Sequence, residues 1–464
     1  MNWTIEELNL LFKAYDVRGI YPEQINEDLV YQTGRAFVEV LNIRSEAGGP
    51  NKVLIAHDMR PSGPSLVSAF ARGVCDQGAE AILIGLASTD GLYFASGKLH
   101  LPGAMFTASH NPAQYNGIKL ARPGAAPVGE TTGLREIKEL VAEGIKDFQG
   151  PKGQTSEQEM VYEYADFLNS LVDLSQIRKL KVVIDAGNGM GGYTAPKVLQ
   201  HKNLEIEGMY FELDGNFPNH EANPIEPKNL VDLQKRVQEV KADLGIAFDG
   251  DADRAFFVDE NAELITPSAV TALIAERELK REPNSAIIYN LITSRAVAEV
   301  VKENGGTPVR TRVGHSFIKQ VMKEHNAIFG GEHSGHFYFR DFWFADSGML
   351  AALHVLAALG EQDQEVTISK MMKRYNRYFA SGEINTKVAS PLQTSERVKD
   401  FFASNFEAQI DDLDGLTFST DDWWVNVRAS NTEPLLRFNA EAKTQQLLFE
   451  IRDRVLAVIR EDEK

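Results

Sequence analysis

At 464 residues the chain exceeds one ordinary domain, and 43% hydrophobic with 25% charged residues is the composition of a globular protein with sizeable cores. A formal net charge of −18 argues against non-specific nucleic-acid binding and requires any anionic substrate to be met by a locally basic pocket. The lone cysteine, Cys75, excludes an intrachain disulfide and a Cys-rich zinc site, and its apolar-periodic surroundings predict a core position.

The N-terminus shows no basic region followed by an apolar one, and no run of about 18 apolar residues could span a bilayer, so the expected location is cytoplasmic, with no membrane partner. The first motif is KAYDVRG, residues 13–19, in which Tyr15 and Arg18 flank Asp16. Arg18 reads equally well as an anion ligand or as a surface ion pair with Asp16. A pattern of apolar strand, amphipathic helix and apolar strand then recurs three times. The copies begin at VLIAHDMR (from Val53), VVIDAGNGMGG (from Val182) and AIIYNL (from Ala286), and end in AMFTASHNP, LGIAFDGDADR and AIFGGEHSGH. Continuous apolar strands alternating with helices predict sheets covered on both faces. The tail reads strand, loop, strand, helix (DWWVNVR, ASNTEP, LLRFNAEA, then Leu447 to Ile459), the pattern of a small α+β domain. The expected fold is therefore α/β: three consecutive α/β domains with mixed or parallel sheets, residues 1–153, 154–262 and 263–378, plus a smaller C-terminal α+β domain, 382–464.

Each repeat ends in a loop of unusual chemistry, where open α/β sheets bind ligands. In TASHNPAQYNGIK the loop offers Ser109, His110, Asn111 and Lys119. A serine at a strand end, beside an imidazole and a cation, suits a covalent nucleophile; a surface turn is the alternative. In DGDADR, Asp249, Asp251 and Asp253 alternate after a strand and can converge on one hard cation, Mg²⁺ or Mn²⁺. An EF-hand is disfavoured, because its sixth position is Arg254 rather than glycine and a strand precedes it. A solvated acidic turn would force the three carboxylates to repel. A phosphate oxygen on Ser109 would complete the shell, and Arg254 would hold a phosphoryl oxygen. GGEHSGH presents Glu332, Ser334 and His336, groups suited to vicinal sugar hydroxyls; its HxxH pair lies in a glycine-rich loop rather than on a helix, so a metal site there is disfavoured. RASNTEP carries Arg428, Ser430, Asn431 and Thr432, with Arg437 following, a donor set that would chelate a phosphate; a polar hairpin is the alternative. GNGMGG lacks the spacing of a dinucleotide fingerprint.

Together these loops resemble, in order and across essentially the whole chain, the motifs of the α-D-phosphohexomutase family: TASHNP its phosphoserine loop, DGDADR its metal loop, GEHSGH its sugar loop and RASNTEP its phosphate loop. The form of the sugar loop resembles the bacterial phosphomannomutase/phosphoglucomutase branch. His333 departs from the methionine common there, and Asp90, in ASTDG, stands in place of the branch's usual proline. The resemblance implies four domains around a central cleft and an isomerase that interconverts hexose 1- and 6-phosphates of mannose or glucose. It implies a phosphoryl group on Ser109, one Mg²⁺ on Asp249, Asp251, Asp253 and Ser109, and hexose 1,6-bisphosphate as bound intermediate and activator. His110, Lys119 and Arg254 would then surround the transferring group, with Lys119 the candidate proton-transfer group and His110 its support. Tyr15, Arg18, His315, Glu332, Ser334, His336, Arg428, Ser430, Asn431, Thr432 and Arg437 would bind the sugar phosphate. The implied partners are small phosphosugars, with the chain a monomer or homodimer and its fourth domain turning on a hinge near Tyr378 to Gly382. A phosphoglucosamine mutase and, more remotely, a metal-dependent sugar phosphatase are the alternatives.

Overall fold

The computed structural model describes residues 3–45, 48–429 and 435–461, with the backbone alone for residues 315 and 316. The chain forms two compact units. The first holds Met1–Thr266 and Ser334–Lys370, the second Pro267–His333 and Met371–Lys464.

The first unit starts with helix α1 (Ile5–Leu11), β1 (Val17–Ile20), α2 (Glu27–Val40), β2 (Lys52–His57), α3 (Gly63–Asp76), β3 (Glu80–Leu86), α4 (Thr89–Leu99), β4 (Gly103–Phe106), β5 (Tyr115–Arg122), β6 (Ala126–Pro127), α5 (Leu134–Glu143) and β7 (Thr155–Glu157). The sheet order is β1-β5-β4-β2-β3-β7, with β6 on β5. Strand β2 is parallel to β3 and β4, and its buried run Val53 to Ala56 is what a strand covered on both faces requires. Strand β5 instead runs antiparallel to β4 and β1. Its alternation was hidden behind the polar loop, so Lys119, expected in that loop, in fact lies in mid-strand opposite Met105. Strand β7 pairs with β3, so the first sheet draws its edge strand from beyond the boundary expected at residue 153. Cys75 is half-buried against the first core rather than inside it.

The second sheet of this unit comprises β8 (Leu180–Asp185), β9 (Leu204–Met209), β10 (Leu244–Phe248), β11 (Ala255–Asp259) and β12 (Leu264–Ile265), with helices α6 (Val161–Leu171), α7 (Gly191–Val198) and α8 (Val231–Val240). Its order is β12-β11-β10-β8-β9. All five residues of β10 are buried, and it delivers the DGDADR loop before turning back antiparallel as β11.

The second unit opens with α9 (Pro267–Arg281), β13 (Ala286–Asn290), α10 (Arg295–Glu303), β14 (Thr307–Thr311), α11 (His315–Glu324) and β15 (Phe329–Gly331), with β13 parallel to both β14 and β15. The chain then returns to the first unit for an antiparallel pair, β16 (Phe337–Phe339) and β17 (Ala345–Asp346), and for α12 (Gly348–Gly360). Residues 334–370 thus pack with the first unit although they follow the third repeat. The tail of the second unit is an antiparallel sheet of β18 (Phe379–Ala380), β19 (Ile384–Lys387), β20 (Gln409–Asp411), β21 (Leu416–Ser419), β22 (Trp423–Ala429) and β23 (Leu435–Ala442), covered by helices Pro391–Asn405 and Gln445–Ile459. Its core is mainly aliphatic around an aromatic cluster, with Phe402 stacked on Phe418 at 4.0 Å between ring centroids. The segment expected as a hinge is held as β18 against β23, and Gly382 takes the left-handed φ of +68° that ends it. Among the described residues no helix is long and apolar enough to cross a membrane.

Candidate active site

Strand β4 ends at Phe106 and delivers Ser109 into a left-handed backbone conformation, φ 49°. A non-glycine residue is held there only when its surroundings over-determine it. Ser109 N–H donates to Thr107 Oγ1 at 2.9 Å, and its carbonyl accepts from Arg60 Nη2 at 3.0 Å. Gly250 is needed opposite, since a Cβ at that position would lie 2.4 Å from the Ser109 carbonyl oxygen.

Arg60 had no assigned role in the motif HDMR, and it organises the whole loop. It donates to the carbonyls of Pro112 (2.8 Å) and Tyr115 (2.9 Å) through Nη1 and to those of Ser109 and Asn111 (2.6 Å) through Nη2. Its Nε lies 3.3 Å from Asp58 Oδ2, and both side chains are fully buried. The ring of Phe217 covers the guanidinium at 5.2 Å. Arg18 adds a second tie: Nη1 donates to Asn111 Oδ1 and Nη2 to Asp16 Oδ2, each at 2.5 Å. The pair with Asp16, one of the two readings of Arg18, forms, and Arg18 also reaches the serine loop. Tyr15 is half-buried just before β1.

The metal loop meets the serine loop directly. Ser109 Oγ donates to Asp249 Oδ2 at 2.8 Å and lies 3.3 Å from His110 Nδ1. Asp249, Asp251 and Asp253 are buried, with one carboxylate oxygen of each within 4.8 Å of the others. Lys119 Nζ bridges Asp251 Oδ2 (2.8 Å) and Asp253 Oδ2 (2.6 Å). Asp251 Oδ1 is buried without a hydrogen-bond partner. Three clustered carboxylates with an unsatisfied buried oxygen are a donor set that fits a hard divalent cation.

The electrostatics follow from that crowding. Burial, then the charges of Asp253 and Asp251, push Asp249 well above the usual carboxylate range. Burial acts the same way on Asp253, but Lys119, His336 and Arg254 outweigh it and hold that carboxyl well below the range. Lys119 is pushed up: burial opposes its charge, and Asp251 and Asp253 more than compensate. The charge of Arg254, burial and Arg18 push His110 down to about 2, so its imidazole is neutral at neutral pH.

The end of the sugar loop is zipped onto the metal loop by a backbone bridge between Arg254 and His336. Arg254 Nε donates to His336 Nε2 at 3.2 Å, His336 Nε2 lies 3.5 Å from Asp253 Oδ1, and Ser334 Oγ is 3.0 Å from His336 Nδ1. Ser334 and His336 thus belong to the same unit as Ser109, whereas Glu332 lies in the second. There Glu332 Oε1 accepts from Gly314 N–H at 3.3 Å and Asn290 Nδ2 at 3.4 Å, and Asn290 Nδ2 is 3.1 Å from His333 Nδ1. Arg428 and Arg437 are cross-strand neighbours on β22 and β23, a like-charge pair that would repel. Glu383 lies with both, Oε2 accepting from Arg428 Nη2 at 2.8 Å and Oε1 from Arg437 Nη1 at 3.3 Å. His315 opens α11, but its side chain is outside the described residues, as are Ser430, Asn431 and Thr432.

The sequence matches the family described as "Phosphoglucomutase/phosphomannomutase" in all four of its domains: alpha/beta/alpha domain I over residues 9–147, domain II over 162–262, domain III over 266–378, and the C-terminal domain over 383–458. It is 37% identical to a phosphomannomutase of Escherichia coli K12, over 97% of this chain and 98% of that one. It is 34% identical to a phosphoglucomutase of Neisseria gonorrhoeae, covering 97% and 96%. The solved structure of a phosphoglucomutase/phosphomannomutase family protein from Burkholderia thailandensis superposes with a TM-score of 0.86 at 30% identity, covering 97% of this chain and 98% of that one. Sequence, fold and the order of the loops agree, and the chain belongs to the phosphoglucomutase/phosphomannomutase family.

Proposed function

We propose that the chain interconverts hexose 1-phosphates and hexose 6-phosphates of mannose, glucose or both, by way of a phosphoryl group on Ser109 and a bound hexose 1,6-bisphosphate. The observation that carries this reading is the Ser109 hydroxyl, 2.8 Å from Asp249 within a buried acidic triad and beside a neutral imidazole. Relatives named for phosphomannose and phosphoglucose conversion support both sugars.

Asp249, Asp251 and Asp253 would hold one Mg²⁺, with a phosphoryl oxygen on Ser109 as further ligand; when bound, the ion neutralises charge developing on the transferring group. Arg254 holds a phosphoryl oxygen. As the bond between Ser109 Oγ and phosphorus breaks and the bond to the sugar O6 forms, Lys119 gives a proton to the serine oxygen. The proton leaving O6 takes its place on Lys119, so the step conserves protons. His110, neutral, hydrogen-bonds the serine oxygen. The return step runs the same way from the 1-position after the bisphosphate turns over. Glu332 and Ser334 bind sugar hydroxyls in either orientation. Tyr15, Arg18, His315 and His336 assist in binding the sugar or its phosphate. Arg428, Ser430, Asn431, Thr432 and Arg437 take the phosphate that is not being transferred, with Arg supplying paired donors. The division at 1–153, 154–262, 263–378 and 382–464, a cytoplasmic location, a monomeric or homodimeric state and activation by hexose 1,6-bisphosphate complete the reading; the spans of the four family domains support the division.

Phosphorus NMR tests it. Purified protein with Mg²⁺ and a trace of hexose 1,6-bisphosphate converts mannose or glucose 1-phosphate to the 6-phosphate, and Ser109→Ala does not. Conversion of glucosamine 1-phosphate alone would move the chain to the amino-sugar branch, and release of free phosphate without isomerisation would make it a phosphatase.

A further inference from the structure

Asp90 lies on the first turn of α4 and is fully buried. Its carboxyl accepts three hydroxyls from three parts of the first unit: Ser88, the N-cap of its own helix; Tyr164 of α6, at 2.7 Å; and Ser347, the N-cap of α12, at 2.6 Å. The neighbouring Thr89 reaches the metal loop twice. Its Oγ1 donates to Asp251 Oδ2 at 2.5 Å, and its N–H donates to the Asp251 carbonyl at 3.0 Å. The start of α12 also packs on that loop: a Cβ on Gly348 would lie 2.7 Å from the Arg254 carbonyl carbon. The metal loop is therefore held by two helix N-termini, and one carboxyl joins them.

We propose that Asp90 is a positioning residue for the metal loop, tying α4 to α6 and α12 so that Thr89 holds Asp251 in a ligating orientation. Hydrogen-bond partners behind a ligating carboxylate set its orientation and its affinity for the ion. Stability alone does not account for the residue. Burial pushes its carboxyl up to about 7, against the pull of Ser347, Ser88 and Tyr164 and with a small further push from Asp253, so the fold carries this charge at a penalty. The inference rests on the reading of Asp249, Asp251 and Asp253 as the metal ligands.

The test is Mn²⁺ binding to the full chain, read by the paramagnetic resonance of the free ion, with circular dichroism confirming that each variant is folded. Asp90→Ala leaves three hydroxyls without their acceptor and is expected to weaken Mn²⁺ about tenfold, the scale of such outer partners. Asp90→Asn keeps the shape and most of the hydrogen bonds and restores affinity to within about threefold. Thr89→Val weakens binding to a similar degree, and Asp90→Ala in that background adds little, because Asp90 acts through Thr89. Wild-type affinity in folded Asp90→Ala, or full additivity with Thr89→Val, overturns the proposal. Should Asp90→Ala fail to fold, Tyr164→Phe removes one donor and is expected to weaken Mn²⁺ severalfold; unchanged affinity there also overturns it. Asp251→Asn is the separate control: wild-type affinity in that variant would remove the metal reading itself.

Discussion

Replacing Arg60 by methionine removes the guanidinium and keeps the length of the side chain. Four loop carbonyls, those of Ser109, Asn111, Pro112 and Tyr115, lose their donor, and Asp58 is left as a fully buried carboxyl with no counter-charge. Breaking a buried pair in this way costs about 3–5 kcal/mol, and the four carbonyl bonds do not add to that one for one, since they share a single side chain. The expected loss is therefore about 4 kcal/mol in urea-induced unfolding. Asp58→Asn in the same chain removes the stranded charge and should recover part of it. The chemistry should suffer separately. Ser109 keeps its left-handed backbone only while the loop is pinned, and a misplacement of about 1 Å lowers turnover about 100-fold. Turnover measured at a temperature where the variant is fully folded separates the two effects. A loss under about 1 kcal/mol with wild-type turnover would refute the assignment of Arg60 as the brace of the serine loop.

Two further outcomes follow. Asp90 titrates near 7 in the folded chain and near 3.8 when unfolded, so the folded state binds the extra proton between these values and stability falls as pH rises through that window. The penalty above it is on the order of 4 kcal/mol, and Asp90→Asn removes it; denaturation of both proteins at pH 4 to 8 should show the variant gaining on the wild type as pH rises, whereas a constant difference would contradict the shift. Glu383 pairs with both Arg428 and Arg437, the arginines proposed to take a phosphate, and Glu383→Gln should tighten inorganic phosphate about fivefold by calorimetry, the worth of a partly exposed charge pair; weaker binding would mean that the carboxylate instead orients the arginines.

Much of the site was legible because its residues are adjacent in sequence. The alternation of Asp249, Asp251 and Asp253 after a fully buried strand forces their carboxylates together, and the loop after β4 presents Ser109 beside His110 whatever the rest of the chain does. What stayed hidden depends on distant or unmarked partners. Arg60 works on backbone carbonyls, which every residue has, so HDMR gave no signal. The partners of Asp90, Tyr164 and Ser347, lie far along the chain, so nothing near ASTDG discloses its role. Lys119 lies in β5 rather than in the loop the sequence suggests, because Gly117 and the polar stretch before it mask the start of that strand. The edge strand β7, with all three residues exposed, has no apolar pattern to find. The return of residues 334–370 to the first unit is a packing outcome that no local pattern encodes.

The central claim is that Ser109 carries the phosphoryl group, and peptide mapping of the protein treated with labelled hexose 1,6-bisphosphate tests it most directly. The account predicts one labelled phosphoryl group on the peptide containing Ser109, lost on adding unlabelled glucose or mannose 1-phosphate as the label appears in sugar bisphosphate and then in 6-phosphate. Label on any other residue, or label released only as free phosphate, would contradict it.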